Sequence, residues 1–189
     1  MSERQRTPAE RVASVGGVSI SGVFLRHAAP NRDAFAGGRG GRWGDTFPVI
    51  YLGRPLNSCI EEAYRHLVDE AGIPAHLVRA RTLYSVRVDV TNVLDLRGDA
   101  AVDAVDLSQT DLESAVGDYE RCQRVAAAAH QLEYHGIIAP AATGQGETLA
   151  LFRQRLSATE MPTVIDREAW TTLPPRPGTS GPALRIVRS

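Results

Sequence analysis

The 189-residue chain contains no lysine. Its 21 basic side chains are all arginine, and 22 acidic side chains oppose them, which gives a formal charge of -1. Every cationic contact therefore uses a guanidinium, which is planar, permanently charged and suited to bidentate contacts with phosphate or carboxylate. Lysine nucleophiles and Schiff-base chemistry are excluded. An arginine-only basic set most often reflects GC-rich coding, so the composition alone gives no arginine a role.

Other absences narrow the class of protein further. A near-neutral charge argues against a dedicated nucleic-acid binder, and two cysteines provide neither a disulfide framework nor a four-cysteine zinc site. No two of the five histidines are spaced four residues apart, so we predict no metal site. No apolar run approaches 18 residues, and the polar N-terminus lacks the apolar region of a secretory signal. The sequence thus predicts a cytoplasmic protein without a membrane or direct nucleic-acid partner.

The apolar residues, 43% of the chain, suffice for a core and carry both helical and strand periodicities. Strands are predicted at 18–26, 48–52, 82–90, 93–96, 137–139 and 149–152, helices at 56–70 and 119–135, and short helical turns within 98–118. The predicted fold is α+β, an irregular mixed sheet flanked by helices. We predict a flexible leader or weak helix at 1–15, one folded domain at 16–172, and an extended or disordered proline- and glycine-rich tail at 173–189.

A few polar residues stand where packing does not require them. Arg26 ends an apolar strand, Arg42 lies among glycines beside Trp43, and Tyr51 lies within an apolar strand. The helical carboxylate Glu62 is explained equally well by the helix dipole, and periodicity alone does not bury it. An arginine-rich cleft with an aromatic ring and a carboxylate fits a dinucleotide or nucleotide diphosphate. A carboxylate beside an N-glycosidic bond can stabilise an oxocarbenium-like transition state.

The order of these motifs resembles the RES domain, a family named for an Arg–Glu–Ser set. The resemblance rests on FLRH at 24–27, GGRWG at 40–44, PVIYL at 48–52, the CIEE helix segment at 59–62, CQRV at 122–125 and HGIIAPAA at 135–142. It implies a fold related to the ADP-ribosyltransferases, and a toxin of a toxin–antitoxin system that degrades NAD. It also implies phosphate as co-substrate, with no resident cofactor, giving nicotinamide and ADP-ribose 1″-phosphate. The implied partner is an Xre-type helix-turn-helix antitoxin, and a homodimer or larger complex is also possible.

The resemblance assigns roles residue by residue. Arg26 matches the family arginine and is expected to bind the NAD diphosphate, while Tyr51 would stack on the nicotinamide or shape its pocket. Glu62 matches the family glutamate and would stabilise positive charge at the ribosyl carbon or orient the phosphate. Arg42, with Trp43 beside it, would contact a phosphate or structure the loop, and His27 would contact a ribose.

One position departs from the family pattern. The family serine normally follows the proline at Pro140, where this chain has Ala141, and Thr143 is the nearest residue that offers a hydroxyl. Two alternatives to NAD degradation therefore remain open at the level of sequence. One is an ADP-ribosyltransferase that modifies a macromolecule, and the other is a degenerate, non-catalytic RES-like binding module.

Overall fold

A six-stranded sheet forms the centre of the protein in the computed structural model, which describes residues 6–114 and 117–178. Neighbouring strands are antiparallel except β3 and β4, and their order is β1-β2-β5-β4-β3-β6. β1 also pairs with β3, so five strands close into a ring from which β6 extends. The strands are β1 (Gly17–Ala28), β2 (Val49–Arg54), β3 (Arg81–Asp95), β4 (Gly136–Pro140), β5 (Glu147–Phe152) and β6 (Thr163–Trp170).

The helices are short and surround the sheet. They are α1 (Pro8–Val15), α2 (Leu56–Tyr64), α3 (Asp99–Ala104), α4 (Gln109–Glu113) and α5 (Glu120–Gln131). α2 continues directly into a π-helical segment (Arg65–Glu70), and a 3₁₀ turn follows at Ala75–Leu77. In the described part of the chain, no helix combines the length and the apolar character needed to cross a membrane. The result is a single mixed α+β domain with a sheet and flanking helices.

Alternating side chains place the core on both faces of the sheet. Along β3, Tyr84, Val86, Val88 and Val90 point to one face and are buried, as the period-two pattern predicts. They join side chains from the other four ring strands in one buried cluster. A second cluster packs α5 against the opposite face, and a third joins α2 to β3 and β6. These contacts fix α2 over one end of the sheet.

Parts of both ends of the chain pack against the domain. Of the residues predicted at 1–15 as a flexible leader or a weak helix, residues 8–15 form the helix α1, in which Val12 is fully buried. Thr7 and Glu10 cap this helix reciprocally, which explains why it begins there. The predicted loose tail also packs at its start, since Leu173 is buried and Arg176 forms ion pairs. Residues 1–5 and 179–189 lie outside the described residues.

Candidate active site

A cavity of about 450 Å³ lies where β1, β2 and α2 meet the glycine-rich loop at 37–44. Six of the seven predicted site residues contribute to its wall, and they come from four different parts of the chain. They are Arg26, His27, Arg42, Trp43, Tyr51 and Glu62. Thr143 is not part of the wall. The fold thus brings together residues that are up to 36 positions apart in the sequence.

Arg26 lies at the end of β1 that pairs with β2 at Leu25. Its Nη1 donates a hydrogen bond of 2.8 Å to the Tyr51 carbonyl oxygen, which aims the guanidinium across the strand pair. Its Nε is buried and has no hydrogen-bond partner among the described residues. Burial lowers the pKa of Arg26, yet a guanidinium stays charged at physiological pH. A half-buried cation with an unsatisfied donor is suited to an anionic group.

His27 is held as a neutral ring. Burial is the main reason that its pKa falls to about 3, and the nearby Arg81 adds to the effect. Arg81 Nε donates to His27 Nδ1 at 3.3 Å, so the proton of the neutral ring is on Nε2. The ring also stacks on Trp170, with 6.0 Å between centroids. His27 can therefore offer one N–H donor to a ligand without adding charge.

The Tyr51 side chain packs closely against the glycine-rich loop. The Tyr51 hydroxyl accepts a hydrogen bond of 2.9 Å from the Trp43 backbone N–H, and burial raises the pKa of Tyr51, so the phenol stays protonated. A Cβ on Gly41 would lie only 2.5 Å from the Tyr51 hydroxyl oxygen, which explains the glycine there. The Trp43 side chain is 2% exposed and belongs to the core, so it shapes the cavity from behind.

Arg42 is occupied by contacts within the protein. Its Nη1 donates to the Asp111 carbonyl at 2.5 Å and to the Ser114 hydroxyl at 2.8 Å, and its Nη2 donates to the Ser114 carbonyl at 2.8 Å. The guanidinium also lies over the Tyr119 ring, 4.7 Å from its centroid. These contacts favour the loop-structuring alternative for Arg42 over direct binding of a ligand phosphate.

Glu62 projects from α2 and is held by a histidine. Its Oε2 lies 3.2 Å from His66 Nε2, and His66 Nδ1 lies 2.8 Å from Glu70 Oε2. The hydrogen bond to Glu62 is the main cause that raises the pKa of His66, and Glu70 adds to it. The Glu62 side chain is 25% exposed, so its carboxylate is accessible from the cavity. The site therefore places an oriented carboxylate in the same cavity wall as the cationic Arg26.

The loop at 140–146 contributes less than the sequence predicts. Ala141 is buried, and the Thr143 hydroxyl turns to the Gln145 carbonyl at 3.5 Å, outside the cavity wall. Pro140 and Ala142 line the cavity, and β5 contributes Thr148. The described residues contain no cluster of three or more histidine, cysteine or acidic side chains arranged to hold a metal ion.

Sequence reasoning missed several wall residues, namely Ser58, Cys59, Arg65, His66, Tyr119 and Thr148. Two of them had a usable signal, because Ser58 and His66 are four residues before and after Glu62 and so share its helix face. Arg65 and Tyr119 had none. They reach the cavity through the π-helical turn and the approach of α5, which a sequence pattern does not encode.

Comparisons with known proteins identify the family of this chain. The family model described as the RES domain matches residues 19–172. Proteins named NAD(+) phosphorylase MbcT, from Mycobacterium bovis and Mycobacterium tuberculosis strain H37Rv, are 32% identical over 154 residues. The match covers 77% of this chain and 81% of theirs.

A solved structure agrees as well. A chain in the crystal structure of the M. tuberculosis MbcT–MbcA toxin–antitoxin complex superimposes with a TM-score of 0.74 at 29% identity. The superposition covers 87% of this chain and 92% of that one. The match to the family model, the identity to the MbcT proteins and the shared fold lead to one conclusion: this chain belongs to the RES domain family.

Proposed function

We propose that this chain is an NAD phosphorylase and the toxin component of a toxin–antitoxin system. It would cleave the bond between nicotinamide and ribose, and inorganic phosphate would take the ribosyl carbon, giving nicotinamide and ADP-ribose 1″-phosphate. The observation that carries the proposal is the cavity in which β1, β2 and α2 bring Arg26, Tyr51 and Glu62 together. Homology to the NAD(+) phosphorylase MbcT supports the same activity.

Binding of NAD would rest on the residues of β1 and β2. The Arg26 guanidinium, which contributes to the cavity wall, would pair with the diphosphate, because a guanidinium matches phosphate oxygens in a planar, bidentate geometry. The Nε2–H of neutral His27 would donate to a ribose hydroxyl. The Tyr51 ring would line the nicotinamide pocket, while the hydrogen bond from Trp43 keeps that ring in place.

Glu62 would act on the bond that breaks. As the nicotinamide leaves, positive charge develops on the ribosyl ring, and a fixed carboxylate stabilises that charge most where water is partly excluded. His66 and Glu70 hold the carboxylate and limit its rotation. Phosphate would then attack the ribosyl carbon while the nicotinamide departs with the electron pair of the broken bond. The proposed reaction exchanges one bond at the ribosyl carbon for another, so it requires no metal or redox cofactor.

The same proposal extends to fold and partner. We infer a distant relation to the ADP-ribosyltransferase fold and an antitoxin partner, the latter because the M. tuberculosis neighbour comes from a toxin–antitoxin complex. An Xre-type helix-turn-helix antitoxin, a cytoplasmic location and possible self-association follow from the family resemblance. Expression of the chain alone in a bacterial host should arrest growth, and co-expression of the cognate antitoxin should relieve the arrest.

The assigned roles are tested by replacing one carboxylate. Purified wild-type protein is incubated with NAD and phosphate, and nicotinamide release is followed by chromatography. Glu62→Gln should lower turnover by at least about a hundredfold while the melting temperature stays near that of the wild type. Glu168→Gln, which removes an exposed carboxylate on β6, is the matched control and should be fully active. A Glu62→Gln protein as active as this control would reject the role of Glu62.

A further inference from the structure

The segment that follows β6 crosses the outer side of α2. We call residues 171–176 the C-terminal strap. Leu173 is buried in the cluster that also contains Cys59, Ala63 and Trp170. The next residue accepts a hydrogen bond, since the Tyr64 hydroxyl donates to the backbone oxygen of residue 174 at 3.0 Å. The strap is thus anchored by both apolar burial and a hydrogen bond.

Arg176 adds the strongest polar contacts of the strap. Its Nε donates to Glu61 Oε2 at 3.0 Å, while Nη1 and Nη2 donate to the two carboxylate oxygens of Asp69 at 3.1 and 2.9 Å. The guanidinium also lies over the Tyr64 ring, 5.3 Å from its centroid. One side chain therefore connects three residues that span the end of α2 and the π-helical segment.

The strap and the cavity use different faces of this helix. Glu61, Tyr64 and Asp69 are not part of the cavity wall, whereas Glu62 and His66 are. Glu61 and Glu62 are neighbours in the chain. The strap contacts Glu61 on one side of this helical turn, and the proposed catalytic carboxylate of Glu62 faces the cavity on the other side.

This turn has little support from the helix itself. α2 has no side-chain hydrogen bond at its N-terminal cap, and the change from α to π geometry occurs at Arg65. The backbone N–H of Arg65 is shared between the carbonyls of Glu61 and Glu62. His66 orients the Glu62 side chain from within this helix. Because π-helical turns are uncommon and are found mostly as local features at functional sites, contacts from outside the helix would help to fix the backbone that carries Glu62.

We propose that the C-terminal strap is a positioning device for Glu62, with Arg176 as its principal positioning residue. The proposal rests on the proposed NAD cleavage. Residues 173–176 of the strap lie beyond the part of the chain that the RES family model matches. Arg176 touches neither NAD nor phosphate. It acts by fixing Glu61 and Asp69 on either side of the α-to-π junction, which holds the intervening carboxylate at the ribosyl carbon.

Point variants of the full-length chain test the proposal. Arg176→Ala should lower kcat for nicotinamide release by about tenfold or more, because a small misplacement of a catalytic group strongly slows the chemical step. The KM for NAD should stay within about twofold, since the NAD contacts on β1 and β2 are untouched. Arg176→Lys retains one point-charge pair and should recover part of kcat. Tyr64→Phe, which removes only the hydroxyl contact with the strap, should lower kcat in the same direction and by less.

Arg167→Ala is the matched control, because it removes an exposed arginine that lies over the Tyr84 ring and does not contact α2. It should leave kcat and KM unchanged. Amide hydrogen exchange provides a readout that does not need activity, and Arg176→Ala should speed exchange within residues 56–70 relative to this control. Wild-type kcat in a folded Arg176→Ala protein would overturn the proposal. If the wild type releases no nicotinamide, the proposed function is rejected. In that case amide hydrogen exchange still tests the strap, and an unchanged exchange rate within residues 56–70 of Arg176→Ala would reject its positioning role.

Discussion

Replacing Gly41 by alanine should displace Tyr51 and so disturb the cavity. The new Cβ would lie 2.5 Å from the Tyr51 hydroxyl oxygen and 2.9 Å from Cζ. Ordinary contacts between such atoms are near 3.5 Å, so the ring must move by about 1 Å. That movement breaks the hydrogen bond from the Trp43 backbone N–H and shifts the strand carbonyl that holds Arg26.

The magnitude follows from two costs. Overpacking of this kind costs about 1–3 kcal/mol, and the lost hydrogen bond adds about 1 kcal/mol. For a domain of this size, each 1 kcal/mol shifts the melting temperature by about 2–4 °C, so Gly41→Ala should melt about 4–16 °C below the wild type. Since Tyr51 is both a wall residue and the hydrogen-bond partner of Arg26, kcat/KM for NAD should fall by about tenfold or more.

Gly38→Ala is the control in the same loop. A Cβ there meets nothing within 4 Å, and Gly38 does not adopt a positive φ, so its melting temperature and activity should stay at or slightly above wild type. The double variant Gly41→Ala/Tyr51→Phe removes the closest clashing atom, and it should be less destabilised than the sum of the two single changes. Thermal melting and nicotinamide release are measured on the wild type, the three single variants Gly38→Ala, Gly41→Ala and Tyr51→Phe, and the double variant. Wild-type behaviour of Gly41→Ala, or strict additivity in the double variant, would refute the reasoning.

Three further predictions concern Arg42, His27 and Thr143. Arg42→Ala should destabilise the fold by about 3 kcal/mol in urea unfolding, because it removes three hydrogen bonds from a charged guanidinium to the half-buried Asp111 and Ser114; an unchanged midpoint would show that these contacts are weak. The pKa of His27 falls from 6.5 to about 3 on folding, so its contribution to stability is complete above pH 6.5 and decreases as the pH drops. As the pH falls from 6 to 4, the free energy of unfolding should therefore decrease by about 1.4 kcal/mol per pH unit more in the wild type than in His27→Asn. Parallel curves of stability against pH for the two proteins would contradict this. Thr143→Ala should keep nicotinamide release within about twofold of wild type, since its hydroxyl lies outside the cavity wall; a large loss would show that this hydroxyl reaches the substrate.

Local patterns predicted most of the secondary structure. The alternation along 82–90 and the apolar stripes of 56–70 and 119–135 correspond to β3, α2 with its π-helical continuation, and α5. These elements were predictable because each buries one face, which the sequence must encode locally. No element was predicted at 157–170, and β6 was missed there because its residues are mostly exposed and so carry no clear alternation.

The sequence predicted which residues line the cavity best where polar residues interrupt apolar segments. Arg26 and Tyr51 interrupt apolar strands and match the family pattern, whereas Glu62 was assigned from the family pattern alone, because the helix dipole explains a carboxylate there equally well. The occupation of Arg42 by Asp111 and Ser114 was not predictable, since those partners lie 69 and 72 residues away. The same holds for the strap, because composition predicts an extended tail and cannot show that Arg176 meets α2.

The dependence of nicotinamide release on inorganic phosphate tests the central claim most directly. Wild-type protein is incubated with NAD in phosphate-free buffer and in buffers of increasing phosphate, and the products are identified by mass. We predict release that rises with phosphate and an equimolar amount of ADP-ribose 1″-phosphate. Absence of nicotinamide release at every phosphate concentration would contradict the account. Release that ignores phosphate and leaves ADP-ribose on a macromolecule would contradict it in favour of ADP-ribosyl transfer.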